Sequence, residues 1–328
     1  MIERAIAHAI PASALLALTG AAIGITPATA QTYPGKPVRF VVGFPAGGTV
    51  DLVARALGQK LSPAWSQPVI VDNRVGANGT IATEHVAKAA PDGLTVLIAF
   101  SSHTINPALY KKLPYDAQRD FVPITLLATV PNLLVVHPSL PVKNVRELIE
   151  LARARPNQVA YASSGVGSPA HVSAELFKKM ANVGLHHVPY KGGPPHIISV
   201  ITGETSLVFT TVYLALPHVK AGKMRAIAVT TPKRTQVLPE IPTVSETLPG
   251  YQSISWYGMF APRGTPAAIA DKLHADVVNA LQMPDFRDSL LAQGAEPVGN
   301  TQAEFSALVA GELQSWRTML ESIGAKVD

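Results

Sequence analysis

The chain contains no cysteine among its 328 residues. This absence excludes structural disulfides, thiolate nucleophiles, and zinc or iron–sulfur sites that are built on cysteine. Any chemistry of this protein must therefore rest on hydroxyl, imidazole, carboxylate or backbone groups.

Charged residues are also scarce, at 15% of the chain, whereas hydrophobic residues make up 47%. This composition excludes extensive disorder and allows a large buried core. The net charge is +5, but Lys and Arg are scattered, with no basic run of the kind that binds nucleic acid. We read the charge as favouring solubility and, weakly, small anions. The length favours two domains.

The N-terminal segment differs from the rest of the chain. The stretch "IPASALLALTGAAIGITPATA" is apolar and ends in an A-x-A pattern at Ala28 and Ala30, which is typical of a cleaved export signal. A transmembrane anchor is the alternative, but Pro11, Pro27 and several glycines interrupt the run, which is short for a span of about 20 apolar residues. We predict a signal peptide over residues 1–30, and no later segment is apolar enough to span a membrane.

Beyond the signal, strand-like and helix-like patterns alternate, which predicts a mostly parallel sheet with helices on both faces. Strand-rich crossings near Pro131 and Ser255 predict an α/β fold of two lobes joined by two strands. The expected bounds are 31–132 with 255–328 for lobe 1, and 133–254 for lobe 2. Ligands of such sheets lie at the carboxyl ends of strands, where the expected loops "FPAGG", "SSHT" and "SSGVGS" follow.

The loop "GFPAGGTVD" joins a predicted strand to a predicted helix. Gly43 and Gly48 have the spacing of a nucleotide-binding P-loop, but the lysine that should follow is missing. The N–H groups of Gly47 and Gly48 at a helix start instead suit a carboxylate. Asp51 is interpreted as a first-turn residue that interacts favourably with the helix dipole.

The loop "SSGVGSPA" is a second strand-to-helix junction. Gly165, Gly167 and Ala170 fit the dinucleotide fingerprint, but the acidic residue expected about 20 positions later is absent from "HHVPYKGG". Serine hydroxyls beside free N–H groups again suit a carboxylate.

Enzymatic and metal-binding alternatives find little support. There is no G-x-S-x-G motif, and Ser164 with His171 lacks an obvious third member. His186 and His187 are adjacent in a predicted strand and therefore point to opposite faces. We expect no metal, no cofactor and no catalysis.

Aromatic residues are few. Phe44 and Tyr190 follow predicted strands beside glycine loops and could form walls of a pocket, whereas Trp256 is as readily a core residue. Lys191 could contribute charge to the pocket or face solvent.

Eight segments, taken in order, resemble the periplasmic solute-binding receptors of tripartite tricarboxylate transporters, the Bug or TctC family. They are "YPGKPVRFVVGFPAGGTVDLVAR", "VDNRVGANGTIA", "HTINPALY", "YASSGVGSPAHVSAELF", "VPYKGG", "RAIAVTTPKR", "IPTVSETLPGY" and "GMFAPRGTP". The resemblance implies a type II periplasmic binding fold with a ligand cleft between its lobes. It also implies that the loops 45–48 and 164–168 hold a ligand carboxylate, and that Ser101 and Ser102 approach the cleft. Ligands of the family include dicarboxylates, tricarboxylates, acidic amino acids, nicotinate and aromatic carboxylates.

Two positions depart from that family. Thr210 and Thr211 stand where many relatives carry Asp, which makes an amino-acid ligand less expected and a plain carboxylate more so. Asn78 stands where glycine is usual, a mild change because Asn tolerates positive φ.

The sequence thus predicts a non-catalytic, exported, monomeric receptor that passes a small organic carboxylate to membrane permease subunits. An extracytoplasmic sensor that docks a signalling partner is the alternative output of the same fold. Anion capture is expected from the N–H groups of residues 46–48 and 167–168, with hydroxyls of Ser101, Ser164 and Thr210. The candidate ligand-binding residues are Phe44, Ala46, Gly47, Gly48, Ser101, Ser102, Ser164, Gly165, Gly167, Ser168, His171, Tyr190 and Thr210.

Overall fold

The computed structural model describes residue 1 and residues 33–190, 193–235, 238–292 and 294–322. The predicted signal peptide therefore lies, apart from Met1, outside the described residues, and so does Lys191. The described residues from Tyr33 onward form one compact unit. None of the described helices combines the length and apolarity that a membrane crossing requires.

Ten strands and ten α-helices are found in the described residues. The strands are β1 (Val38–Val42), β2 (Val69–Asn73), β3 (Thr95–Phe100), β4 (Phe121–Val136), β5 (Ala160–Ser163), β6 (His186–Pro189), β7 (Leu207–Thr211), β8 (Arg225–Val229), β9 (Ile254–Pro262) and β10 (Glu296–Pro297). The helices are α1 (Thr49–Trp65), α2 (Thr80–Ala87), α3 (Ser102–Leu109), α4 (Val145–Ala154), α5 (Pro169–Ala181), α6 (Gly193–Ile201), α7 (Val212–Lys220), α8 (Ala267–Gln282), α9 (Pro284–Ala292) and α10 (Gln302–Ser322). The predicted alternation of strands and helices is confirmed.

The strands form a mixed sheet in the order β2-β1-β3-β9-β4-β7-β5-β6, with β8 and β10 also paired to β4. The strands β1, β2 and β3 are parallel to one another, and so are β5, β6 and β7. Both β4 and β9 run antiparallel to the strands they contact. The sheet therefore consists of two parallel parts joined through antiparallel strands.

The strand β4 joins the two parts of the sheet. The sequence suggested two shorter strands here, but the structure has one strand of 16 residues. Its register with β9 ends at Pro131, and Asn132 begins the pairing with β7. Proline cannot donate a ladder hydrogen bond, and Pro131 lies where the strand changes partner, so it does not interrupt either ladder.

Buried polar groups connect β4, and the residue after β8, to the start of β9 and the residue before it. The Asn132 side-chain amide donates to Ser255 Oγ at 3.1 Å, and Thr230 Oγ1 donates to the carbonyl of Ser253 at 2.5 Å. These bonds satisfy polar groups that would be costly to bury unpaired. The division into two lobes at this crossing stays a prediction.

The hydrophobic core is separated into clusters on the two parts of the sheet. The apolar face of α1, with Val53 and Leu57, packs on β1 and β3, as its spacing predicted. A different cluster, with Phe177 and Phe209, lies between α5 and β7. A small further cluster contains Leu109 of α3, Val172 of α5 and Leu320 of α10, so these three helices are in contact.

The segment "SSHT" is helical rather than a loop, so that prediction was wrong. Helix α3 begins at Ser102, immediately after β3, and Ser101 is its N-cap residue. Ser102 and His103 are both buried, at 2% exposure. The polar residues of this segment suggested a solvent-exposed loop, but α10 covers the helix. The carboxylate of Glu312 in α10 accepts hydrogen bonds from Thr104 Oγ1 at 2.6 Å and Trp256 Nε1 at 2.9 Å.

Candidate functional site

The candidate site is built from loops that follow the carboxyl ends of parallel strands. In one part of the sheet, β1 leads into residues 43–48 and β3 into α3. In the other part, β5 leads into residues 164–168 and β7 directly into α7. Parallel strands place such loops at one edge of their sheet, where ligands of α/β proteins bind.

The first loop is held in shape by internal hydrogen bonds. Gly47 has a φ of +78°, and its N–H donates to Asp51 Oδ2 at 2.9 Å. The N–H of Gly48 donates to the carbonyl of Pro45 at 3.1 Å. The expectation that Gly47 and Gly48 offer free N–H groups to an anion was therefore wrong, because the loop caps its own helix start.

Asp51 is the residue that fixes this loop. Its carboxylate also accepts hydrogen bonds from Arg55 Nε at 2.9 Å and Asn73 Nδ2 at 2.9 Å. Burial acts to raise the pKa of Asp51, but the hydrogen bonds from Arg55, Gly47 and Asn73 together hold it below its ordinary value. The interpretation of Asp51 as a helix-dipole residue was too narrow, because it connects the loop, α1 and β2.

The second loop shows the same self-capping. Gly167 N donates to His171 Nδ1 at 3.2 Å, and Ser168 N donates to the carbonyl of Gly165 at 3.1 Å. Ser168 is the N-cap of α5, and its Oγ accepts from His171 N at 3.3 Å. The N–H groups of Gly167 and Ser168 are therefore not free either. His171 is turned toward its own loop, which removes the suggested Ser164–His171 pair.

Ser163, at the end of β5, forms hydrogen bonds that support residues 164–168. Ser163 Oγ accepts from Gly165 N at 3.1 Å and lies 2.6 Å from His187 Nε2. Ser164 is half-buried, and Val166 at the tip of the loop is exposed.

Asn78 connects the second loop to α3, a contact that the sequence did not indicate. The Asn78 side-chain amide donates to the carbonyl of Gly167 at 2.9 Å and to Asn106 Oδ1 at 2.9 Å. A β-carbon on Gly167 would lie 2.1 Å from Leu109 Cδ1. Glycine at position 167 therefore allows residues 164–168 to approach α3 closely.

Four buried side-chain hydroxyls have no hydrogen-bond partner within the described residues: Tyr115 Oη, Tyr190 Oη after β6, and the aliphatic hydroxyls Ser101 Oγ after β3 and Thr211 Oγ1 at the end of β7. The two aliphatic hydroxyls are the strand-end candidates considered next. The residues themselves are 2% and 7% exposed. Thr210, which the sequence suggested instead, turns to the other face of β7, where its Oγ1 lies 3.4 Å from His196 Nε2. Successive strand residues point to opposite faces, so Thr211 rather than Thr210 is the stronger candidate.

Aromatic rings line the first part of the site. Phe44 is half-buried, meets Phe100 edge-on at a centroid distance of 5.5 Å, and Phe100 stacks on Tyr257 at 5.5 Å. A β-carbon on Gly79 would lie 3.5 Å from the Phe44 ring and 3.8 Å from Ser102 Oγ, so Phe44 and Ser102 both lie beside that glycine.

The other two aromatic residues differ in burial, because Tyr190 is half-buried whereas Trp256 lies in the core. Tyr190 packs against the cluster that contains Ile197 and Val200 of α6. Trp256 is 2% exposed, and its Nε1 is bonded to Glu312.

The loops 44–48 and 164–168 carry no charged side chain. Among the described residues, Arg55 of α1 is paired with Asp51, and Arg74 after β2 is paired with Asp72. Within the part of the chain that the structure describes, no group of three His, Asp or Glu side chains is placed to hold a metal ion. A cavity of about 480 Å³ lies elsewhere, between α3 and α10, and is lined by Tyr115 and Arg317 among others.

Comparison with known proteins decides the family. A family model described as "Tripartite tricarboxylate transporter family receptor" matches residues 53–325. The chain belongs to this family. Protein BugT of Bordetella pertussis is 35% identical to it over 320 residues, which cover 95% of this chain and 98% of BugT. The resemblance seen in the sequence is thus confirmed.

Solved structures extend the likeness to the fold. Rpa4515 of R. palustris, determined with adipate, has a TM-score of 0.84 and 38% identity, covering 90% of this chain and all of that one. MatC (Rpa3494) from Rhodopseudomonas palustris, with bound malate, has a TM-score of 0.80 and 33% identity, covering 88% of this chain and all of that one. The chain therefore has the periplasmic binding protein fold, and it is a binding protein rather than an enzyme.

Proposed function

We propose that this protein captures a small organic carboxylate between the loops 44–48 and 164–168 and delivers it to the permease subunits of a tripartite tricarboxylate transporter. The observation that carries the proposal is the pair of buried, unpartnered hydroxyls, Ser101 Oγ and Thr211 Oγ1, at strand ends beside these loops. Buried hydroxyls without partners are costly, and a ligand carboxylate would accept a hydrogen bond from each.

A carboxylate fits this site better than a cation does. Asp51, the acidic side chain bonded to the first loop, already accepts three hydrogen bonds and is not available to an ammonium group. Because the described residues of the two loops carry no basic side chain, an anion there must be held by several neutral donors. Hydroxyls of Ser101, Ser102, Ser164 and Thr211, with ordered water, are the donors that we propose.

In this proposal the glycines and His171 shape the loops instead of donating hydrogen bonds to the ligand. Because Gly47, Gly48 and Gly167 use their N–H groups internally, we assign them to shaping the loops. Phe44 would supply the apolar wall for the carbon chain of the ligand. The binding of adipate by Rpa4515 and of malate by MatC supports a dicarboxylate as the first class to test.

Ligand binding would be coupled to closure of the two lobes. The bond from Asn78 to Gly167 links residues that precede α2 and α5, on the two parts of the sheet. A ligand that contacts both parts favours the state in which they meet. We propose that this closed state is the one presented to the permease, and that the exported protein begins after Ala30 and acts as a monomer.

Isothermal titration calorimetry tests the proposal with adipate, malate, citrate and benzoate, and with adipamide as the uncharged counterpart of adipate. We expect at least one carboxylate to bind and adipamide to give no heat. Thr211→Val, which keeps the shape but removes the hydroxyl, should weaken binding about two- to tenfold. Thr202→Val, at the exposed residue that follows α6, is the matched control and should bind as the parent does. Binding of adipamide as tight as that of adipate would contradict the proposal.

A further inference from the structure

Three rings are stacked beneath the second loop. Tyr161 of β5 lies against His187 of β6 with a centroid distance of 4.7 Å, and His187 lies 4.4 Å from His171 of α5. Tyr161 is fully buried and His171 is 6% exposed. The stack therefore holds the His171 ring in one orientation beneath residues 164–168.

That orientation fixes the protonation state of one nitrogen. Because Gly167 N donates to His171 Nδ1, Nδ1 must carry a lone pair and no proton. The ring proton then lies on Nε2, which is 3.9 Å from Glu175 Oε1.

We propose that His171 is a positioning residue for ligand binding, whose unprotonated Nδ1 holds Gly167, and with it the loop 164–168, in the form that binds the ligand. Ligand affinity falls when this nitrogen takes up a proton. The inference rests on the proposed function in one respect only, which is that the loop 164–168 contacts the ligand.

The charged and titratable groups around the three rings determine the pH at which His171 becomes protonated. On α5, Glu175 accepts from Tyr161 Oη at 2.6 Å and from Lys178 Nζ at 2.7 Å, so its charge is largely paired. Burial lowers the pKa of His171, Glu175 opposes this and Lys178 adds to it, and the net direction is downward. The remaining titratable neighbours are His187 and, on the same strand, His186.

His187 itself stays neutral at pH values well above 4. Burial, followed by the proximity of His171, lowers its pKa to about 4. Because burial lowers the pKa of His171, His171 is neutral at pH 7 and becomes protonated only at a pH lower than the ordinary histidine value of about 6.5. An N–H on Nδ1 would then face the N–H of Gly167, and the hydrogen bond that holds the loop would be lost.

Two substitutions separate this role from simple packing. His171→Asn keeps an acceptor near the position of Nδ1 but does not titrate, whereas His171→Leu removes the acceptor. With adipate as the probe, we expect H171L to weaken binding about tenfold at pH 8 and H171N to restore most of that loss. Between pH 8 and 5 the parent should lose affinity relative to H171N. His274→Asn, in α8, is the control and should follow the parent at every pH. Affinity of the parent that rises relative to H171N as the pH falls would overturn the proposal.

A second readout requires no ligand. In NMR spectra of the free protein, the amide resonance of Gly167 should shift with the same pH midpoint as the His171 ring, and this shift should be absent in H171N. A Gly167 amide that does not follow the ring would overturn the proposal even if the variants fold poorly. If adipate does not bind, the proposed function is contradicted for this ligand, and the amide titration alone decides the positioning role.

Discussion

Gly167→Ala tests the contact between the loop 164–168 and α3. Gly167 has a φ of +77°, and a β-carbon there would lie 2.1 Å from Leu109 Cδ1 and 3.6 Å from Asn78 Nδ2. Leu109 is 1% exposed and packed among Ile105 and Leu320, so it has little room to move aside. The substitution therefore adds backbone strain in any state and a steric overlap only where the loop meets α3.

The two effects have different consequences. Left-handed backbone at an alanine costs about 1–2 kcal/mol, which lowers the free energy of unfolding whether or not the loops are in contact. The overlap with Leu109 costs about 1–3 kcal/mol more, as overpacking does, and under the proposed lobe closure it acts on the closed state alone. We therefore expect the affinity for a carboxylate ligand to fall about five- to 150-fold.

Calorimetry on a double-mutant cycle with Leu109→Ala measures this directly. L109A removes the atom that the new methyl group meets, so G167A/L109A should bind more tightly than the sum of the single effects implies. Thermal unfolding of all four proteins reports the backbone strain separately. Equal affinities for G167A and the parent, or additive losses in the double variant, would refute the assignment of this contact to ligand-dependent closure.

Three further substitutions test other parts of the account. Asn78→Gly keeps the left-handed backbone but removes the bond to Gly167, so affinity should fall about two- to tenfold by calorimetry. Asp51→Asn should lower the free energy of unfolding by about 1–3 kcal/mol at pH 7. Because the pKa of Asp51 is lowered in the folded protein, denaturant titrations should show this difference vanishing as the pH falls below about 3.9. Burial raises the pKa of Glu312, so the parent should gain stability relative to Glu312→Gln as the pH falls from 7 toward about 4.3.

Much of the fold could be predicted because local patterns and tertiary structure agree. Helix α4 forms where "VRELIELARA" has apolar residues at helical spacing, and β9 forms where "ISWYGMFAP" is a strand-like apolar run. The loops 44–48 and 164–168 were recognised because glycine between a strand and a helix has few structural uses. Helix α3 was missed because its polar residues are buried by α10, which lies about 200 positions later in the chain.

Details of the site could not be read from the sequence because they depend on pairing between distant segments. The N–H groups of Gly47 and Gly167 seemed free, since nothing in the sequence shows that Asp51 and His171 turn back to accept from them. The choice between Thr210 and Thr211 depends on which face of β7 is turned to the site, and two adjacent threonines give no alternation from which to read it.

A crystal structure of the protein with adipate, or with whichever carboxylate of the panel binds most tightly, tests the central claim most directly. The account predicts that a ligand carboxylate lies between the loops 44–48 and 164–168, within hydrogen-bonding distance of Ser101 Oγ or Thr211 Oγ1. A ligand bound instead in the cavity between α3 and α10, beside Tyr115 and Arg317, with both hydroxyls left unpaired, would contradict it.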